Sequence, residues 1–134
     1  MDFSTIKFFK LSEFDSPDLP GSGANMQFDV VVELDLMRGE LGLPLIVNSG
    51  YRTKVHNDVI HGEPNSAHLR GWAVDLQANT KMFRSQIVRQ AILHGFRRIG
   101  MAETFVHLDK DPSLPAPVLW MYGPVTRQHP DGIF

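Results

Sequence analysis

The stretch Ser66-Ala67-His68-Leu69-Arg70-Gly71-Trp72-Ala73-Val74-Asp75 holds a histidine and an aspartate seven residues apart, with a glycine between them. A helical metal pair needs the i,i+4 spacing of the HExxH pattern, so these two do not share a helix face. Their spacing suits a chain that turns at Gly71 and runs on as a buried strand ending near Asp75. A carboxylate behind Trp72-Ala73-Val74 is costly to bury unless a cation meets it. A metal ion supplies that cation, with His68 brought alongside across the turn.

Working outward, a third ligand is offered by Phe105-Val106-His107-Leu108-Asp109. In this apolar, strand-like run His107 and Asp109 share a face by period-two alternation. Two imidazole nitrogens and one carboxylate oxygen make the three protein ligands of a catalytic zinc site and leave a fourth position for water. The metal set expected from the sequence is therefore His68, Asp75 and His107.

Composition agrees with a compact enzyme-sized domain. The 134 residues suffice for one domain with its own core, and 43% hydrophobic with 21% charged residues is ordinary for a globular protein. A net charge of -2 gives no electrostatic case for nucleic acid or for stable membrane association. With no cysteine, disulfides and thiolate ligands are excluded, and any metal must use His, Asp or Glu. The first ten residues are broken by Ser4, Thr5 and Lys7 and lack the apolar stretch of a signal peptide. The expectation is synthesis in the cytoplasm, with delivery by another agent if the target lies outside.

Taken in order, residues 1–25 read as mostly irregular, with a short strand over Lys7 to Leu11 and turn chemistry from Asp15 to Gly23. Asn25 is placed to cap a helix over Met26 to Leu41, with Val30, Leu34, Met37 and Leu41 on one stripe. Val30-Val31-Val32 favours a strand, but the length and the stripe favour helix. Pro44 to Asn48 reads as a short strand, Thr53 to Ile60 as one or two helical turns, and Lys81 to His94 as a helix capped by Asn79 or Thr80 and closed by Gly95. Arg97 to Met101 and Thr104 to Asp109 read as a hairpin, and Val118 to Tyr122 as an edge strand. The fold class is α+β: a small, mainly antiparallel sheet flanked by helices in a single domain. Residues 112–134 form a C-terminal extension.

The pattern SxHxxGxAxD over Ser66 to Asp75, the upstream Asn48-Ser49-Gly50-Tyr51-Arg52 and the later His107 in an apolar strand occur in this order. Together they resemble the zinc D-alanyl-D-alanine carboxypeptidases and their L-alanyl-D-glutamate endopeptidase relatives, whose fold is shared with the hedgehog signalling domain. The resemblance runs from about Phe8 to Asp109. It implies one zinc ion, a peptidoglycan stem peptide as substrate, and a wall-degrading enzyme of phage or bacterial type; a monomer is the expectation. Asn57 also stands where such enzymes usually carry asparagine.

Zinc in such a site brings the pKa of its water to near 7, and a general base must then move the proton. Here the chain departs from the family pattern. The relatives place Glu, Asp or His about three residues before the last ligand, and this chain has Thr104 there. In a straight strand Glu103, Phe105, His107 and Asp109 point the same way, so Glu103 is the first candidate base. Asp109 is the second, with holding an imidazole or an arginine in place as its alternative role. Arg52 is expected to clamp a substrate carboxylate or the oxyanion, and otherwise to pair with Asp58 or Glu63. Ser66 is expected at the site, bonding Asp75, substrate or its own loop, and Tyr51 is expected to pack with its hydroxyl at the site edge. Trp72 reads as core, Arg97-Arg98 as a solvated pair, and His56, His61, His94 and His129 as surface or capping residues, with His61 within reach of substrate. Two rival readings are a metal-bound but inactive module and a purely structural domain such as a virion component.

Overall fold

The computed structural model of the chain describes residues 2–123. Five strands form one sheet: β1 (Val47–Ser49), β2 (Ala73–Gln77), β3 (Arg98–Met101), β4 (Phe105–Asp109) and β5 (Val118–Met121). Their order across the sheet is β1-β2-β4-β3-β5. All pairs are antiparallel except β3 with β5, which is parallel. The α+β class with a mainly antiparallel sheet thus holds.

Strand alternation sorts the side chains into two faces. Val74, Leu76, Ile99, Val106 and Leu108 are buried on one face, where they join the core. Helices α1 (Phe28–Leu41) and α3 (Lys81–Leu93) cover it with Val30, Leu34 and Met37 from the first and Ile87 and Ala91 from the second. Val30 and Val31 are fully buried helical residues. Their β propensity is worth tenths of a kcal/mol, whereas burying each side chain contributes about 1.5–3 kcal/mol. Burial wins. The other face of the sheet carries Asp75, Arg98, His107, Asp109 and Trp120 and opens into a cavity.

The strand expected over Lys7 to Leu11 does not form. The backbone N–H groups of Lys7 and Phe8 instead donate to the buried carboxylate of Asp35 on α1, at 2.9 and 2.8 Å. That bond ties the amino-terminal segment to a helix rather than to a sheet edge. Three short 3-10 turns, Phe3–Thr5, Leu11–Phe14 and Ser22–Asn25, make up most of its regular structure. Asn25 closes the last of these and does not cap α1. The N-cap is Gln27, whose backbone N–H reaches the Gly71 carbonyl at 2.9 Å. Gly71 has φ +75°, and a Cβ there would stand 2.2 Å from the Asn25 carbonyl oxygen. The central glycine of the motif therefore makes a left-handed turn and admits the start of α1 at the same point.

The remaining boundaries shift by a residue or three. A short helix, α2 (Lys54–Val59), follows the Thr53 cap, and Thr80 rather than Asn79 caps α3. Gly95, at φ +84°, closes α3. Of the carboxy-terminal extension, residues 124–134 lie outside the described residues, and His129 with them.

Candidate metal centre

The register of β2 against β4 sets Asp75 directly opposite His107. Across the turn at Gly71, the 3-10 segment Ala67–Arg70 lays His68 beside the same carboxylate. Asp75 Oδ1 lies 3.3 Å from His68 Nε2 and 3.0 Å from His107 Nδ1. One donor atom from each of the three residues falls within 4.8 Å of the others. A tetrahedral ion with bonds of about 2.0–2.2 Å wants donors roughly 3.3–3.6 Å apart. The two measured spacings lie within a few tenths of an ångström of that range, so the donor set fits a small divalent ion with nitrogen and oxygen preference.

The far side of each ligand is held as well. His68 Nδ1–H donates to the Gly50 carbonyl at 2.7 Å, which leaves the Nε2 lone pair facing Asp75. His107 turns its Nε2 to Asp109 Oδ2 at 2.7 Å. Asp75 Oδ2 accepts from Arg52 at 3.1 Å, so Oδ1 is the oxygen turned to both imidazoles. Burial works against a charged Asp75, but the neighbouring histidines outweigh it and hold the carboxyl far below the usual range. Burial also opposes charge on His107, yet the carboxylates of Asp109 and Asp75 push it up to about 9. His68 is pushed down by its burial, which Asp75 only partly offsets.

The segment Ser49-Gly50-Tyr51-Arg52 is a scaffold for this cluster. Arg52 donates Nε–H to Ser49 Oγ at 3.0 Å and one terminal nitrogen to Asn57 Oδ1 at 3.2 Å, besides its bond to Asp75. Asp75, not Asp58 or Glu63, is thus its ionic partner, and Arg52 lines the cavity. Buried Asn57 also donates to the Glu63 carbonyl at 2.9 Å, which fixes the loop over residues 61–66 against Arg52. Gly50 packs so tightly that a Cβ would stand 2.8 Å from the Phe14 backbone. Ser66 lines the cavity, and its hydroxyl accepts from the His68 N–H at 3.2 Å, bonding its own loop. Tyr51 packs partly buried against the core and is not among the cavity-lining residues. Its neighbour Arg52 lines the cavity instead.

Glu103 does not reach the cavity. Strand β4 begins only at Phe105, so residues 102–104 form the hairpin bend and the straight-strand projection fails. The Glu103 side chain is exposed, while its carbonyl accepts from Arg84 at 2.8 Å. Asp109 does line the cavity and is fully buried. Both its oxygens are engaged: Oδ2 with His107, and Oδ1 with Arg98 Nε at 2.8 Å and the Asp111 N–H at 3.1 Å. It orients the imidazole and the arginine.

Three cavity residues escaped the sequence reading. Arg98 is not solvated: it bonds Asp109, donates to the Pro115 carbonyl at 2.7 Å and stacks 5.4 Å from the Trp120 ring. Trp120 lies 5.2 Å from His107, ring to ring. That contact requires Gly100, which stands between them in register, because a Cβ there would come within 2.5 Å of the indole. Tyr122 follows on the same wall. Only the alternation of an edge strand hinted at these residues, and a parallel pairing of β5 with β3 is not written in local sequence. His61, expected as a surface residue within reach of substrate, is exposed and lines the cavity rim.

The whole arrangement floors a cavity of 780 Å³ with a preorganised His-Asp-His group. No helix among the described residues is long and apolar enough to cross a membrane. No curated protein matches the chain significantly. The family model described as Peptidase M15 matches residues 14–109, a span that begins at buried Phe14, includes all three ligand candidates and ends at Asp109. The chain belongs to the peptidase M15 family.

Proposed function

We propose that the chain is a zinc-dependent peptidase that hydrolyses a peptide bond in peptidoglycan stem peptides. The bond is either the D-alanyl-D-alanine link, cut by a carboxypeptidase, or the L-alanyl-D-glutamate link, cut by an endolysin-type endopeptidase. The observation that carries the zinc reading is the His68, Asp75 and His107 donor set with its far sides held. The substrate class rests on family membership together with the SGYR and SxHxxGxAxD motifs. When bound, zinc supplies the Lewis acidity that acidifies a water and polarises a peptide carbonyl. The protein's own groups hold and orient. Asp109 fixes the His107 ring, Gly50 fixes the His68 ring, and Arg52 fixes Asp75 while presenting its remaining N–H groups to a substrate carboxylate or carbonyl oxygen. The protein acts as a monomer on the wall.

One observation favours a second reading, a metal-bound module that binds wall peptide or a protein partner without cutting it. Among the described carboxylates lining the cavity, Asp75 and Asp109 are engaged and Glu63 is exposed on the rim. The discriminating experiment is digestion of purified peptidoglycan by the zinc-loaded protein, with and without chelator, followed by mass spectrometry. Peptidase action releases peptides whose masses name the bond, and chelator abolishes the release. Intact wall that nevertheless retains the zinc-loaded protein establishes the binding module instead.

A further inference from the structure

The span matched by the family ends at Asp109, yet the cavity wall continues beyond it. Strand β5 contributes Trp120, and Tyr122 follows, held by its backbone N–H to the Met101 carbonyl at 2.8 Å. The Tyr122 ring is clamped between Phe105, 5.1 Å away, and Trp120, 6.2 Å away. Both neighbours line the same cavity. Tyr122 lines the same cavity as Arg52 and the ligand candidates His68, Asp75 and His107.

The Tyr122 hydroxyl carries one O–H donor. Among the described residues no side chain or carbonyl accepts that O–H. Burial pushes the phenol up to about 12, so it stays a neutral donor at neutral pH.

We propose that Tyr122 is a catalytic residue of this site, its hydroxyl donating a hydrogen bond to the oxygen of the peptide carbonyl under attack. The inference rests on the peptidase reading above. As the carbonyl carbon becomes tetrahedral, its oxygen gains negative charge, and a donor already fixed in place strengthens in that state more than in the ground state. Arg52 lines the same cavity and carries its charge there permanently. Tyr122 adds a neutral, directional donor that does not compete with the metal for Asp75.

The test compares wild type with Tyr122→Phe, which keeps the ring and its contacts with Phe105 and Trp120. Two readings are taken on zinc-loaded protein: kcat and KM for release of peptide from muropeptides, and calorimetric affinity for a phosphinate isostere of the cleaved dipeptide. The expected result is a loss of about 100-fold in kcat with KM within twofold and unchanged zinc content. The isostere, whose charged oxygens mimic the tetrahedral state, is expected to bind the variant at least 10-fold more weakly. A variant with kcat and isostere affinity within twofold of wild type overturns the role of Tyr122 and leaves the peptidase reading intact. If wild type binds the isostere but cuts nothing, the affinity difference alone decides for or against Tyr122. A wild type that neither cuts nor binds overturns both.

Discussion

At the residue scale, His61 and Asp109 show two different reasons for an unusual placement. His61 follows α2 with φ +56°, and the pair of bonds from His61 N–H to the Asp58 carbonyl and from Gly62 N–H to the Asn57 carbonyl is the Schellman ending of a helix. Glycine is the residue that ending favours. A left-handed β-carbon costs about 1–2 kcal/mol, and a glycine gives back about 0.4–1 kcal/mol through the unfolded chain. His61→Gly should therefore stabilise the protein by on the order of 0.5–1 kcal/mol, raising Tm by a few degrees in calorimetry. A lowered Tm would mean that the imidazole on the cavity rim contributes packing that the backbone geometry hides. Asp109 is the opposite case, a buried carboxylate fully satisfied by His107, Arg98 and the Asp111 N–H. Asp109→Asn should cost about 10–100-fold in zinc affinity, measured by competition with a chromogenic chelator. Unchanged affinity would show that His107 needs no help to hold its ring. The sequence placed Asp109 on the right face because period-two alternation is local. It misplaced Glu103 because where a hairpin leaves its ladder is set by both strands together.

At the element scale, α1 and α3 lie together behind the sheet, joined by His94. Its Nδ1 lies 2.6 Å from Glu33 and its Nε2 3.1 Å from Glu40. Burial disfavours the charged ring, but the two carboxylates outweigh it and raise the pKa above the ordinary 6.5. The folded value thus exceeds the unfolded one. The stabilisation is fully present below about pH 6.5, provided both glutamates are ionised, and is lost as pH rises through the raised value. The Tm gap between wild type and His94→Gln should consequently be larger at pH 6 than at pH 9. A gap of equal size at both would show that His94 acts by packing alone. Both helices were legible from their apolar stripes, since the 3.6-residue period survives a run of valines. The link between them was not, because His94 and Glu33 stand 61 positions apart.

At the scale of the whole molecule, the metal group joins a 3-10 turn and two strands, so an ion bound there stabilises the native state as a unit. With free zinc at about 100 times its Kd, linkage contributes about 2.7 kcal/mol. For a domain of this size that corresponds to a rise in Tm of roughly 10 °C over chelator-treated protein, read by scanning calorimetry. Equal Tm values would count against the ion as a resident of the native fold. By itself the sequence determined the three ligand candidates, the turn at Gly71 and the α+β class. Each rests on spacing within a short stretch, where covalent geometry limits where a side chain can point. The tertiary structure decided what surrounds them. It consumed both oxygens of Asp109, sent Glu103 to solvent, turned Arg52 onto Asp75 and added Arg98, Trp120 and Tyr122 to the wall. Those outcomes depend on strand register, on a parallel pairing at the sheet edge and on the missing β-carbon of Gly100. They are properties of two or three segments meeting, and no single segment carries them.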